Sequence, residues 1–507
     1  MSAKTYSAAI VGLDAPRVEV EADVAPGLPK FLVVGLPDTA CQEARERVRA
    51  AIKNSGMPFP YTRVTVNLAP ANVKKEGSRF DAAIACAILA TTGMIDGSTL
   101  ADGSWVIGEL SLDGRLRPVP GALAVATSAI EHGVKRLFLP VENAGEAAVV
   151  EGVLIYPTPS LCALIDHLSG RTKIVPAERT DITPKSRDFG DAVDMRHVRG
   201  QEQARRVLEI AAAGGHNLLL CGPPGSGKTL LARTIPTILP PLDLAEALEV
   251  TKIWSVAGTL PSEIPIVWER PFRTPHHTAS AISLVGGGAN PRPGEVSLAH
   301  RGVLFCDEFP EFGRQVLENL RQPLEDGAIT VSRAAGTIRF PARFMLVAAM
   351  NPCPCGFATD RSGRCSCAPS LITKYQKRIS GPILDRIDMS VDVPKVEASK
   401  LVDDADSERS DAVRSRVVAA RDKQIARMTE RALHMNAEMT AADVRRYVGA
   451  EPDAISLLKS AIETLQLSAR AMTRTLKVAR TIADLEDSAN VAAKHVAEAL
   501  QYRPRIE

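Results

Sequence analysis

Three things are in short supply in this chain. Aromatic residues make up 4% of its 507 positions, too few for extended platforms on which single-stranded nucleic acid could stack. Net charge is nearly absent: 61 Lys and Arg against 59 Asp and Glu leave +2. A strong global field is thereby excluded, and any polyanion must be met by local basic elements. Long apolar runs are missing too, and none approaches the roughly 20 residues needed to cross a bilayer. The opening MSAKTYSAAIVGLDAP has one early lysine, soon meets Asp14, and holds no sustained apolar signal core. A cytosolic (cytoplasmic) protein without membrane contact is expected. In that reducing setting the nine cysteines argue against a disulfide framework. What is left is an ordinary globular composition, 45% hydrophobic and 24% charged, long enough for about two to four domains.

The most informative stretch present is GPPGSGKT: Gly222, Pro223, Pro224, Gly225, Ser226, Gly227, Lys228 and Thr229. It follows the apolar run Leu218–Cys221 and precedes the helix-like run Leu230–Ile235, the strand–loop–helix context of a phosphate-binding loop. Its glycines let the backbone turn tightly and aim N–H groups at phosphate oxygens. Lys228 brings positive charge to the β- and γ-phosphates of ATP, and Thr229 offers a hydroxyl to Mg²⁺. A second motif, Val303–Glu308, is an apolar strand ending in adjacent carboxylates. Asp307 would hold Mg²⁺, directly or through water, and Glu308 would polarise the attacking water as general base. Alone such a pair is a common accident; downstream of a phosphate loop it points to ATP hydrolysis.

The chain divides by composition. Residues 1–170 read as an α/β domain, with strand-like runs at 8–11, 31–34, 64–68, 106–110 and 137–139 and helical patterns at 39–53, 81–92 and 122–131. Residues 171–192, polar and proline-containing, suit a linker. A nucleotide-binding α/β domain spans 193–395, and 396–507 is almost wholly helical in pattern, opening on the acidic run Asp403-Asp404-Ala405-Asp406. Lys228 and Asp307 lie 79 positions apart, more than one helix and one strand require. The Gly/Pro-rich stretch Leu284–Gly294 between them reads as an inserted loop or hairpin.

After the acidic pair come a helix-like segment at 317–324 and two β-rich arms around Ala334-Ala335-Gly336, which read as a hairpin. The strand Phe344–Met350 follows and ends at Asn351, whose amide could reach the γ-phosphate and orient water. Arg386 sits in the apolar frame Ile383–Asp388, and Arg470 and Arg474 lie in the helical region. Guanidinium groups at such places suit γ-phosphate sensing, one of them across a subunit boundary; surface ion pairs are the plainer reading. Arg333 and Arg339 in the hairpin could contact DNA phosphates or pair with Glu325 or Asp326.

This order of motifs resembles an AAA+ ATPase. The hairpin before the Asn351 strand is similar to the pre-sensor hairpin of the clade holding magnesium-chelatase I subunits and MCM helicases. More narrowly, Arg270–Gly288, Gly294–Phe309, Ala348–Gly356, Ser380–Asp388 and Leu476–Leu485 closely resemble the magnesium-chelatase-like ComM/YifB family, and the resemblance covers essentially the whole chain. It implies a P-loop α/β core with a C-terminal helical lid, and an ATP-driven homo-hexameric motor on single-stranded or branched DNA. It further implies a branch-migration helicase working in recombination and natural transformation beside other recombination proteins. It also implies Arg386 as a finger toward a neighbour's ATP and a sensor among Arg470 and Arg474. Residues 1–170 resemble the proteolytic domain of Lon, also present in RadA-type proteins, through Lys75–Ser78, Gly108–Leu123 and Gly133–Ala144. Aligning them puts Arg79 near the nucleophile position, with Ser78 one place early, and Leu123 where the base lysine belongs. Peptidase activity is therefore not expected, because a serine without a base is a poor nucleophile. A packing or oligomerisation domain and a DNA-contacting collar both remain open.

Cys353, Cys355, Cys365 and Cys367 form C-x-C-x₉-C-x-C. Four thiolates in so short a span suit a structural Zn²⁺; a free, redox-sensitive loop or a two-metal cluster is the alternative. Cys41, Cys86, Cys162, Cys221 and Cys306 lie in apolar runs and read as core. His276-His277 reads as a loop contact to DNA or a neighbour. Two other functions compete with the DNA motor: a metal-chelatase ATPase subunit and a non-motor AAA+ assembly factor.

Overall fold

The computed structural model describes residues 2–101, 103–184, 193–288, 291–333, 336–359, 363–396, 408–431 and 433–503. The acidic run at 403–406 and the hairpin tip at 334–335 lie outside them. Two units form, one of residues 1–185 with 243–268, the other of 186–242 with 269–507.

In the first unit a four-stranded sheet runs Ser2–Ala8, Arg17–Ala25, Arg63–Ala69, Lys30–Val34, with only the last pair parallel. Strict alternation builds the Arg17–Ala25 strand: Val18, Val20 and Ala22 are fully buried, while the charged residues between them point away. The first strand ends where the expected run at 8–11 begins, because Val11 and Asp14 pair across a tight turn. Helix Asp81–Thr91 is apolar nearly all round, and Ala82–Leu89 are all buried, so it sits inside the unit and not on its surface. A second, parallel sheet contains Ser104–Val106, Arg136–Pro140 and Leu154–Thr158. The expected strand at 106–110 is broken at Gly108, whose φ is 153°; Glu109–Leu110 pairs instead with Leu116–Arg117. The stretch expected as a linker is partly bound to this unit: Ala177 N donates to Ile155 O and Thr180 N to Ala148 O. Residues 185–192 lie outside the described residues.

Residues 243–268, expected within the nucleotide-binding domain, pack in the first unit. Asp243 caps helix Leu244–Ala257, and Ser255 Oγ donates to buried Glu146 at 2.6 Å. Asn143 Nδ2 (2.8 Å) and Leu123 N (3.3 Å) also donate to that carboxylate, so a buried charge is fully bonded. This accounts for much of the chain between Lys228 and Asp307. The rest includes short helices Ala281–Val285 and Glu295–Leu298 around a Gly287–Arg292 bridge.

The second unit is built on a five-stranded, all-parallel sheet in the order Phe272–Arg273, Val303–Cys306, Met345–Met350, Leu218–Cys221, Met389–Asp392. Its central strands are buried on both faces, as parallel sheets require. The hairpin Ala328–Arg333/Gly336–Pro341 is antiparallel as expected. Helices at 410–428, 441–447, 452–465, 469–485 and 493–501 form the C-terminal region. Helix Ser410–Met428 is fastened to helix Glu202–Gly214: the Arg421 guanidinium donates to Ala212 O and Gln424 Nε2 to Ala213 O, satisfying carbonyls a helix end would leave open. Arg480 and Asp484, in the family-like segment Leu476–Leu485, are buried and paired at 2.9 Å. Asn436 and Arg427 also bond Asp484.

Candidate active site

The phosphate loop leaves the Leu218–Cys221 strand and enters helix Lys228–Ile238. Gly225 and Gly227 have φ of 75° and 90°, conformations that other residues adopt only with strain. Gly222 is required by space instead, since a Cβ there would stand 2.2 Å from Val393 O. Lys228 Nζ donates to Gly222 O (2.7 Å), Pro223 O (3.0 Å) and Asn351 Oδ1 (3.3 Å). Burial lowers its pKa from the usual lysine value. Ser226 Oγ is buried without a hydrogen-bond partner, an orphan polar atom turned into the loop.

The neighbouring strands bring in the other predicted groups. Thr229 Oγ1 donates to Asp307 Oδ2 at 3.0 Å, so the two expected Mg²⁺ ligands are adjacent and fit a divalent cation. Asp307 Oδ1 accepts from Glu308 N at 2.9 Å. Glu308 itself has φ of 50°, which lifts its carboxylate out of the strand direction. Its partner was not evident in the sequence: His277 Nδ1 lies 3.2 Å from Glu308 Oε2. His277, read in the sequence as a loop contact, thus meets the acidic pair of its own chain. No local pattern signals this; it follows from the Phe272–Arg273 strand lying beside Val303–Cys306.

The three candidate arginines gather elsewhere. Asn217, just before the phosphate-loop strand, donates through its backbone N to Asp388 Oδ2 (3.0 Å) and through Nδ2 to Arg386 O (2.9 Å). Arg386 is buried and its guanidinium pairs with Glu325, holding that carboxyl below its usual range. Arg470 lies 4.0 Å from Glu325 and Arg474 3.7 Å from Asp388. This is the sheet edge opposite the phosphate loop. The strand between is 4 residues long, about 13 Å at roughly 3.3 Å per residue. The hairpin leaves from the same edge, where Ala342 N bonds Gly327 O. Arg339 is exposed on it. The side chain of Arg333 lies outside what the structure describes.

The cysteine cluster sits at the exit of the Asn351 strand. Cys353 Sγ is 3.3 Å from Cys355 Sγ and 3.8 Å from Cys365 Sγ, and Cys355–Cys365 is 3.6 Å. All four sulfurs lie within 4.8 Å of one another, so the cluster can hold a metal ion. The loop also packs on the phosphate loop: a Cβ at Gly356 would stand 2.5 Å from Pro224 Cδ. Of the remaining cysteines, Cys162 departs from expectation and is exposed, because helix Leu161–Leu168 turns Leu161, Leu164 and Ile165 inward.

The family-like segment Lys75–Ser78 does not bring its lysine and serine together. Lys75 is buried and its Nζ donates to Pro70 O, while Ser78 Oγ donates to Glu109. Leu123 is a buried apolar residue.

An all-parallel sheet with its phosphate loop, acidic pair and Asn351 at one edge defines a P-loop ATPase of the AAA+ type. Comparison with known proteins makes this specific. Residues 194–401 match the family profile described as "Magnesium chelatase, subunit ChlI". Residues 20–143 match "Subunit ChlI of Mg-chelatase" and 407–503 match "Magnesium chelatase, subunit ChlI C-terminal". Competence protein ComM of Haemophilus influenzae is 43% identical over 507 residues, covering 99% of this chain and 97% of its own length. YifB of Escherichia coli, an uncharacterized protein, is 43% identical over 505 residues, 98% and 96% of the two chains. The magnesium-chelatase 38 kDa subunit of Cereibacter sphaeroides is 29% identical over 169 residues, 30% of this chain and 51% of that subunit. The chain belongs to the magnesium-chelatase-like AAA+ ATPases of the ComM/YifB family. No helix among the described residues is long and apolar enough to cross a membrane.

Proposed function

We propose that this protein is an ATP-hydrolysing DNA motor, a homo-hexameric branch-migration helicase acting in recombination and natural transformation. The observation that carries this reading is the convergence of Lys228, Thr229, Asp307 and Asn351 around the phosphate loop, with Glu308 beside Asp307, in a chain collinear with a competence protein. The loop N–H groups and Lys228 bind the phosphates of ATP. Thr229 and Asp307 hold Mg²⁺, which neutralises developing charge when bound. Glu308 accepts the proton of the attacking water, and Asn351 orients that water.

The arginine positions support a ring. Arg386, Arg470 and Arg474 lie too far from their own phosphate loop to touch its γ-phosphate, so an arginine acting on ATP does so in a neighbouring subunit. Arg386 then exchanges Glu325 for phosphate. The hairpin, leaving from the same edge, is read as the pre-sensor DNA lever, with Arg333 and Arg339 on phosphates. Sulfur spacings near ~3.8 Å are what a tetrahedral ion with ~2.3 Å Zn–S bonds demands, which favours Zn²⁺ for the cysteine cluster. The first unit is read as a Lon-like domain without peptidase activity.

A metal-chelatase ATPase subunit is the second reading. The chelatase descriptions of all three matching profiles favour it, so the N-terminal region does not separate the two. Against it, the chelatase relative aligns over 30% of the chain, whereas the competence protein aligns over 99%. ATPase rates with and without single-stranded, duplex and four-way-junction DNA test the proposal. Stimulation by DNA supports the motor; indifference to all three leaves the chelatase or assembly-factor reading.

A further inference from the structure

A groove of about 830 Å³ opens between the turn after the acidic pair and the helix after the cysteine cluster. One wall is Pro310, Glu311, Phe312 and Arg314; the other carries Ser370, Lys374, Lys377 and Arg378. Arg314, Lys374 and Lys377 are exposed. None of them has a carboxylate within 4.0 Å among the described residues, whereas Arg378 bonds Glu311 at 2.6 Å. Three exposed cations without a close ion-pair partner share one groove, Arg314 being drawn to Glu318 only at longer range, in a chain whose charges otherwise nearly cancel.

We propose that this groove is a track for the phosphate backbone of a nucleic-acid strand, distinct from the hairpin and coupled to the ATP site. The inference rests on the DNA reading above. Ser370, Lys374 and Lys377 lie four and then three positions apart, on one face of helix Pro369–Gln376 and its end. Seven residues at roughly 1.5 Å each cover about 10 Å, enough to face consecutive phosphates of one strand. Lysine ammonium, arginine and serine hydroxyl are the groups that meet phosphate oxygens. Pro310 and Phe312 in the first wall are buried, so no aromatic face is offered to a base, and contact is with backbone, without sequence preference.

Both walls lead to the reacting end of the ATP site. Pro310 is two residues beyond Glu308. On the other side Gln376 Nε2 donates to the carbonyl of Pro352, the residue after Asn351, at 3.2 Å. A strand in the groove therefore bears on Glu308 through one wall and on Asn351 through the other.

The test is the salt dependence of binding a fluorescently labelled oligo(dT) strand, measured by anisotropy on the full chain. The parent is compared with Arg314→Ala/Lys374→Ala/Lys377→Ala and with the single variants Lys374→Ala and Lys377→Ala. The slope of log K against log salt should fall by about 0.7 for each single variant and by about 2 for the triple. A parent that binds no DNA at low salt overturns the DNA reading itself. A parent that binds, with the triple variant keeping its slope, overturns the groove alone. If the triple variant sediments as a smaller assembly than the parent while the single variants keep the parental slope, the groove is a contact between copies of this chain and the proposal falls.

Discussion

Replacing Glu308 by Gln isolates one step of the chemistry. The side chain keeps its length, and an amide oxygen can still accept from His277, which lies 3.2 Å from the carboxylate. The carboxylate is more than half exposed, at 56%, and the backbone conformation at φ 50° is no harder for Gln than for Glu, so the fold loses nothing. Asp307, Thr229 and Lys228 are untouched, and ATP and Mg²⁺ affinity should persist. What disappears is the proton acceptor. General-base catalysis contributes about 10²- to 10⁴-fold, which is roughly 2.7–5.4 kcal/mol on the barrier. Single-turnover hydrolysis should slow by that factor while equilibrium binding of a fluorescent ATP analogue stays near the parental value. Lys228→Ala is the contrast: it removes the cation that bonds the Gly222 and Pro223 carbonyls, so binding itself should fail. Hydrolysis by Glu308→Gln at the parental rate would refute the assignment of the base.

Three further outcomes follow from the same geometry. Arg386→Ala should cost about a thousandfold or more in turnover, and mixing it with Lys228→Ala subunits should restore part of it, because some interfaces then join two intact halves; full activity in a strictly monomeric protein would end the shared-site account. Protein purified without affinity-tag metal should carry about one zinc per chain by elemental analysis, and Cys365→Ser should lose it; freshly reduced protein without zinc, whose stability Cys365→Ser leaves unaltered, leaves only the free-loop reading. The double substitution Arg333→Ala/Arg339→Ala should lower the salt slope of DNA binding by roughly 2 and uncouple hydrolysis from unwinding; normal junction unwinding at an unchanged slope would sink the lever.

The phosphate loop and acidic pair were legible because each motif is local: glycine spacing, a lysine and two carboxylates at strand ends. Asn351 was legible for the same reason, as a polar residue closing an apolar strand. The hidden features depend on partners distant in sequence. His277 meets Glu308 through the order of parallel strands, and Arg386 meets Glu325 through the packing of two elements at the far sheet edge. Helix Leu244–Ala257 reads as an ordinary helix; only Glu146, more than a hundred positions earlier, shows that it joins the first unit. The strand Arg17–Ala25 was obscured by its own charges, because alternate acidic residues break the apolar run even as Val18, Val20 and Ala22 fill the core. At Gly108 an apolar run looked continuous, and the backbone turned where glycine permits it. Cys162 was placed inside by its apolar neighbours, although helical periodicity carries it to the outer face.

The central claim is that ATP hydrolysis at Lys228, Asp307 and Glu308 moves branched DNA. Its most direct measurement is strand exchange in a labelled four-way junction, followed with ATP and Mg²⁺ for the parent and for Lys228→Ala. The account predicts that the parent converts the junction to its product duplexes only when ATP is hydrolysed, and that Lys228→Ala leaves it intact. A parent that hydrolyses ATP at full rate yet never resolves or moves the junction would contradict it.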